Sequence, residues 1–490
     1  MNAESKKFDF LTGAIYLYVM LPIVLFFLGW TKWYIALAGV GILGLCWYRM
    51  SCDTRPVELP ELDAEKIEKL VFVILIIAFW VYLSGIGKFV FQNTDHDCRN
   101  PIFEILVNYS WPPTRTVMIE AGLETKGLIY YIGFWLPAAV VGKIFGVTAG
   151  YCFQALWAIV GIFIFYLLLS STLKEIRIWP LLVFIFFSGL DIVGMLLTNG
   201  TLEGITATTH LEWWASTFEF SSFTTQLFWV FNQSIPAWVI LMLILRQKKN
   251  RYMVVLLGSM LLCSTLPFIG LIPFATYWGF TRSYEGCAGR EKVRAWVKDT
   301  FSVENILGGG ISGIITWLYL MNNEAGQNIV SAEGDNPGVR GYLLLYIIFI
   351  LVEIGGYYFL LYRDEKRNPV YYISFIWLLI CPLIRIGYGT DFGMRASIPA
   401  LLILCLLCIK AIRKWWKEKK RGVLICMLIL LSVGSITPLC EINRTIHMTV
   451  QSYRNKEKVY SDSQSEDDIF GSYNFSGKVD NNFFFEYIAR

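Results

Sequence analysis

Residues 92–113 read QNTDHDCRNPIFEILVNYSWPP, a stretch that mixes acids, bases and amides between two strongly apolar regions. Upstream, residues 70–87 are apolar and long enough to cross a bilayer at about 1.5 Å of rise per residue. They deliver Asp95, His96, Asp97 and Arg99 just beyond the end of that span. A charged cluster so placed marks a site at a membrane surface.

Composition points to the same class. The 490 residues are 56% hydrophobic, 16% aromatic and only 16% charged, with a mean hydropathy of +0.52. A soluble fold of this size could not keep so much apolar surface from water, so the chain reads as an all-α polytopic membrane protein. Lys6 and Lys7 precede an apolar run, residues 8–30, that is long and lacks a small-residue cleavage site; it reads as a retained first span. The net charge of +4 sits in short loops, where it reports topology, and little soluble surface is left for nucleic acid. Of eleven cysteines, Cys46, Cys152, Cys263, Cys381, Cys405, Cys408 and Cys426 fall in or beside expected spans as small hydrophobes. Cys98 and Cys440 lack a CxxC partner, so no metal–thiolate site is expected.

Apolar length and basic loops together give an orientation. Arg246, Lys248, Lys249 and Arg251 form one basic loop, Arg363, Lys366 and Arg367 a second, and Arg413, Lys414, Lys417, Lys419, Lys420 and Arg421 a third. Placed in the cytoplasm, they leave spans near residues 8–30, 33–49, 70–88, 150–171, 178–197, 229–247, 252–267, 268–281, 306–322, 341–362, 368–388, 394–412 and 421–441. That is about 13 transmembrane helices, within a range of roughly 11–14, with the N-terminus cytoplasmic and the C-terminus external. Residues 128–146 must then lie on the outer face, because a crossing there would invert the Arg246 loop. Residues 252–281 are read as two helices or one long kinked span, since Pro267 and Pro273 interrupt them. The division is residues 1–69, two spans and a loop; 70–442, the main membrane domain, with an external loop and surface helices at 89–149; and 443–490, an external tail ending FFFEYIAR.

The unusual polar residues gather on the outer side. Asp95 and Asp97 would share a direction on an extended loop and diverge on a helix. Either could act as general base on a hydroxyl, and Asp95 is also placed to cap the following helix. Asp191 sits within a span, where a carboxylate is costly unless paired or wet. Glu353 is also deep, and Arg385 on the next span is the expected mate. Arg395 follows Asp391 at an outer helix end and suits a lipid-linked phosphate. His210, Glu212, Trp213 and Trp214 cluster in one outer loop, where the aromatics either stack on a sugar or belong to the interfacial belt. Asn232 and Gln233 lie just below and can bind hydroxyls.

After the acidic loop comes KGLIYYIGFWLPAAVVGKIFGVTAGYCFQALWAIVGIFIFYLLL, residues 126–169. Over residues 70–171 this order resembles the polyprenyl-phosphate-dependent membrane glycosyltransferases of the GT-C fold, in which an acidic outer loop precedes a surface helix of the type PPLxYWLxAxxxxxFG. The resemblance implies a catalytic or metal-binding role for Asp95, with Asp97 second. By role and position rather than by a matched motif, it also implies donor-phosphate binding at Arg395, with Arg99 as a further basic residue. The acids here are D-x-D around a histidine instead of adjacent, and two extra spans precede them. The implied function is sugar transfer from a polyprenyl-phosphate donor to a glycan, lipid or protein acceptor at the outer face of the plasma membrane. Asp191, His210, Glu212, Trp213, Trp214, Asn232 and Gln233 would contact substrate. No cofactor is required by this reading, and a divalent metal is left open. The rival expectations are a transporter or lipid flippase lined by Asp191, Glu353 and Arg385, and a non-catalytic subunit of surface polysaccharide assembly.

Overall fold

Asp9 accepts a hydrogen bond from the Thr12 backbone and so starts α1 (Phe10–Trp30); after Thr31 and Lys32 the chain turns straight back into α2 (Trp33–Asp53). The computed structural model describes residues 7–119, 122–201, 205–206, 208–282, 284, 286–324, 338–386 and 390–490. Asp9 N–H donates to the Ser51 carbonyl, so the start of α1 and the end of α2 share one face. A helix of 21 residues is about 31 Å long, which puts Trp30 and Lys32 on the opposite face.

Asp63 caps α3 (Ala64–Leu83), which ends in a turn where Gly85 and Gly87 take φ of +83° and +92°. That turn leads into α4 (His96–Asn108). A hairpin of β1 (Thr114–Ile119) and β2 (Gly122–Leu128) follows, where the sequence suggested only loop and surface helix. The β-branched residues of TRTVMI, Thr114, Thr116, Val117 and Ile119, are the signal for it. α5 (Leu136–Phe145) is about 15 Å long and cannot cross, whereas α6 (Val147–Leu173) can.

The expected span at 178–197 is broken into α7 (Trp179–Ile185) and α8 (Asp191–Asn199) around Ser188 and Gly189. α9 (Phe223–Arg246) is buried almost throughout and kinks at Val230, six residues before Pro236. α10 (Met253–Leu261) and α11 (Thr265–Thr281) run out and back, which settles 252–281 as two helices. Tyr252 donates to Asp53 at 2.8 Å, and Arg282 returns to donate to the carbonyls of Ile244 and Lys249 at 2.7 and 2.9 Å. The charged α12 (Gly289–Thr300) precedes a π-helical turn, Glu304–Ile311, that continues into α13 (Ser312–Leu320). α14 (Gly338–Ile350) and α15 (Gly356–Glu365) flank a second π turn holding Glu353. α16 (Pro369–Ile380), the short α17 (Asp391–Ala396) and α18 (Ile398–Lys417) follow. α19 (Arg421–Gly434) runs into α20 (Ile436–Asn455), so the helix expected to end near 441 continues through residues first read as tail.

The chain is a helical, membrane-embedded protein. Six helices among the described residues are long and apolar enough to cross: Phe10–Trp30, Trp33–Asp53, Val147–Leu173, Phe223–Arg246, Gly341–Glu365 and Arg421–Asn455. The expected thirteen are not reached by this measure. Some segments are broken, and α3 and α18 carry charged ends.

Ion pairs tie the three basic loops to one face. Glu304 takes Arg49 and Arg251 at 2.7 and 2.9 Å, Glu175 takes Arg413 at 3.1 Å and Asp364 takes Lys414 at 2.5 Å. Arg246 donates to Ser171 and to the Pro56 carbonyl, both at 2.8 Å. The C-terminal tail docks on the other face. Its helix α21 (Glu466–Gly471) pairs Glu466 with Arg115, and β3 (Ser476–Lys478) extends the hairpin beside β2. Phe484 is fully buried against Phe26 and Tyr319, and Arg490 N–H donates to the Trp30 carbonyl at 3.0 Å. The aromatic end of the chain therefore fills a cleft in the protein.

Candidate functional site: a buried pair of guanidinium groups beside Asp95

Asp95 occupies the N-cap position of α4, but its side chain makes no capping hydrogen bond. One turn on, Arg99 donates from Nη2 to Asp95 Oδ2 at 2.5 Å, with the guanidinium buried and the carboxylate about a third exposed. The helical spacing that brings these two together sends Asp97 elsewhere. Asp97 meets Ser463 of the tail, and burial is the main cause that raises its pKa, with Asp95 and Asp462 adding to it. His96 lies under the turn, stacked on Phe231 at 5.8 Å and accepting at Nδ1 from Gln92. Burial first, then Arg99, lowers its pKa to about 3, so it is a neutral ring at any ordinary pH.

Arg395 arrives from α17, held by Asp391 across one helical turn at 2.7 Å. Its charge is felt by Tyr130, Tyr131 and Cys98, as is that of Arg99, and Arg395 in turn feels Asp95. Tyr130 and Tyr131 hydrogen-bond to each other through their hydroxyls. Trp135 stacks on Tyr130 and meets Phe231 edge-on, and Phe231 also lies 5.8 Å from the Arg99 guanidinium. Asp95, Arg99 and Arg395 thus lie near one another, with Tyr130, Tyr131, Trp135 and Phe231 around them.

Each guanidinium spends one nitrogen on a carboxylate and leaves others without a partner. Arg99 Nε and Nη1, Arg395 Nε and Trp135 Nε1 are buried and make no hydrogen bond. Next to Phe231, both amide atoms of Asn232 and both of Gln233 are also unpaired at zero exposure. Buried polar groups are rarely left so, because each unmade hydrogen bond costs roughly 1–3 kcal/mol. Neighbouring unpaired N–H donors are what an anion would satisfy.

The remaining expected residues form a second cluster on the far side of the first turns of α9. Asp191 accepts from Ser188 and Thr437 at 2.9 and 2.7 Å. Glu353 accepts from Trp214 Nε1 at 2.8 Å and neighbours Asp191, so its expected mate is replaced. Arg385 instead donates to the Thr217 carbonyl at 2.7 Å. His210 bonds Glu441 at 2.6 Å, and Glu441 is also held by Arg444 and by Trp229 Nε1. Glu212 caps the start of α9 by accepting from Ser222 N–H and Thr225 Oγ1 at 2.8 and 2.6 Å. Trp213 is exposed and edge-on to His210.

Two contacts join the halves: Asn93 Nδ2 donates to the Phe228 carbonyl, and Thr390, beside Asp391, donates to Glu219, both at 2.8 Å. Residues 387–389, between the expected spans 368–388 and 394–412, lie outside the described residues. Tyr130, Tyr131, Trp135 and Phe231 were not foreseen, although the YY pair ahead of the surface helix was visible. Glu219, Glu441 and Arg444 were not foreseen either; the last two stand three apart on a helix read as ending too soon. A groove of about 520 Å³ on the basic face, lined by Trp179, Leu182, Ile412 and Trp416 among others, contains none of these residues. No family model, curated protein or solved structure matches this chain.

Proposed function

We propose that the protein is a GT-C-like membrane glycosyltransferase that moves a sugar from a polyprenyl-phosphate donor to an acceptor hydroxyl, at the face opposite the basic loops. In this reading that face is external, the N-terminus is cytoplasmic, and the broken helices complete a bundle of about thirteen spans. The observation that carries the proposal is the proximity of Asp95, Arg99 and Arg395, with buried, unpaired guanidinium N–H groups.

The chemistry follows from what those groups can do. The donor phosphate sits on Arg99 Nε and Nη1 and on Arg395 Nε, where charge-assisted hydrogen bonds in a dry site are strong. The phosphate competes for Arg99 and so loosens its hold on Asp95. Asp95 then accepts the proton of the acceptor hydroxyl as its oxygen attacks the anomeric carbon. The bond from that carbon to the phosphate oxygen breaks, and the leaving phosphate keeps the electron pair, stabilised by both guanidiniums. In this reading Asp95 is the base and Asp391 holds Arg395 instead of attacking the sugar, which corresponds to inversion in a single displacement. Asn232 and Gln233 offer hydrogen bonds to sugar hydroxyls. Against transport stand the partners of Asp191 and Glu353, which are held by Ser188, Thr437 and Trp214 within a buried network.

The test is binding of undecaprenyl phosphate to the purified protein in nanodiscs, followed by turnover with a panel of undecaprenyl-phosphate sugars. Retention of lipid phosphate by the wild type and its loss in an Arg99→Ala, Arg395→Ala double variant support the proposal. Equal binding by both proteins overturns it.

A further inference from the structure

We infer that His210, Glu212 and Glu219 hold a divalent transition-metal cation, at a site separate from the guanidinium pair. One donor atom from each of the three lies within 4.8 Å of the others, and all three residues are buried. A 3₁₀ turn, Leu211–Ala215, starts just after His210 and sets Glu212 beside it; the extended chain after Ser216 then brings Glu219 back.

The orientation of His210 is what points to a metal. Glu441 is an acceptor, so His210 Nδ1 carries the proton of their 2.6 Å hydrogen bond, which leaves Nε2 as the ring nitrogen that can bind a cation. Arg444 salt-bridges Glu441 and approaches Nδ1 at 3.4 Å, leaving the Nε2 side of the ring clear of it. Nε2 lies 3.7 Å from Glu212 Oε2, beyond hydrogen-bond reach. Glu212 Oε2 is buried and has no hydrogen-bond partner, while Oε1 is fully used by Ser222 and Thr225. Two such acceptors in a dry site need a proton or a metal ion between them, and 3.7 Å is too long for a shared proton but close to the spacing of two ligands on one metal ion. A carboxylate behind the imidazole is the arrangement that fixes the tautomer of a metal-bound histidine.

The donor set selects the ion. One imidazole nitrogen with carboxylate oxygens suits Zn²⁺ or Mn²⁺ better than Mg²⁺ or Ca²⁺, which prefer all-oxygen sites. Donors about 2.1 Å from such an ion stand roughly 3.4 Å apart, so His210 and Glu212, at 3.7 Å, are nearly in place and Glu219 closes by up to about 1.4 Å. Two positive charges balance Glu212 and Glu219, for Arg444 is already committed to Glu441. The ion would organise the site rather than react. Glu219 Oε2 accepts from Thr390, next to Asp391, so the metal ties residues 210–222 to the turn that presents Arg395.

The test is a titration of chelator-stripped wild-type protein in nanodiscs with Mn²⁺, read by electron paramagnetic resonance, and with Zn²⁺, read by bound metal after desalting. One equivalent is expected, with binding weakened at least 10-fold in Glu212→Gln and Glu219→Gln and 10- to 100-fold in Glu441→Gln. Glu466→Gln, in the tail, should bind as the wild type does. A wild type that holds neither ion above background overturns the inference, whatever the variants do, and means that the acids share protons instead. This readout needs no lipid donor, so its failure leaves the proposed sugar transfer standing.

Discussion

Replacing Arg99 with alanine should weaken lipid-phosphate binding more than any other single change in the site. Of the fully buried nitrogens, two of Arg99 lack partners, Nε and Nη1, against one of Arg395, Nε. A hydrogen bond from a charged donor is worth about 1.5–3 kcal/mol, so losing two costs about 3–6 kcal/mol, or roughly 10²- to 10⁴-fold in Kd. Losing the single one from Arg395 costs roughly 10- to 100-fold. Arg99→Lys keeps the charge but not the fork, and should fall between alanine and wild type. Asp95 is about a third exposed, so water can take over from the missing guanidinium and the fold should survive. The assay is a native mass-spectrometric titration of the nanodisc-embedded protein with undecaprenyl phosphate. An Arg99→Ala protein that binds within twofold of wild type, or a larger loss from Arg395→Ala than from Arg99→Ala, would refute the reasoning.

Asp95→Asn should bind lipid phosphate normally and lose roughly 10²- to 10⁴-fold in product formation, the usual share of a general base; single-turnover transfer from a radiolabelled donor checks this, and unchanged turnover would remove Asp95 from the chemistry. His96 has its pKa lowered from 6.5 to about 3 chiefly by burial, so the folded state favours the neutral ring. The stability this contributes is present above pH 6.5 and is lost as pH falls towards 3, because the unfolded chain then takes up a proton that the fold resists. The pH dependence of unfolding in that window should therefore shrink by about one proton in His96→Gln; an unchanged slope would count against a buried neutral ring. Phe484→Ala empties a fully buried position within the tail, at a local cost of about 3–5 kcal/mol. Hydrogen exchange should rise across residues 476–490 and not in α9; unaltered protection there would mean the tail is held by other contacts.

What could be read in the sequence followed from strong, local physics. Basic loops at Arg246, Arg363 and Arg413 are legible because charge is expensive in lipid, and ion pairs place all three on one face. Asp95, Arg99 and Arg395 were legible because charge at a span end has few reasons to be there. The rest depended on long-range packing. The break at Ser188–Gly189 does carry a turn mark in its Ser-Gly pair, but one such pair inside a long apolar run is outweighed by the length of the run. Glu353 was matched to Arg385 by nearness along the chain, but the π turn at Leu351–Gly355 turns it to Trp214 and Asp191. The loop of His210 and Glu212 reads through its tryptophans, as a sugar platform or part of the interfacial belt, because the partner that orients His210, Glu441, lies 231 residues away. The aromatic end of the tail reads by composition as docking on the membrane surface or covering a cleft, and Phe484 takes the second course, against Phe26 and Tyr319.

The most direct test of the central claim is a cryo-electron-microscopy structure of the protein in nanodiscs with undecaprenyl phosphate. Sugar transfer at this site requires the phosphate between Arg99 and Arg395, within hydrogen-bond distance of both and beside Asp95. Phosphate density bound instead along Asp191 and Glu353, or on the basic face, would contradict it.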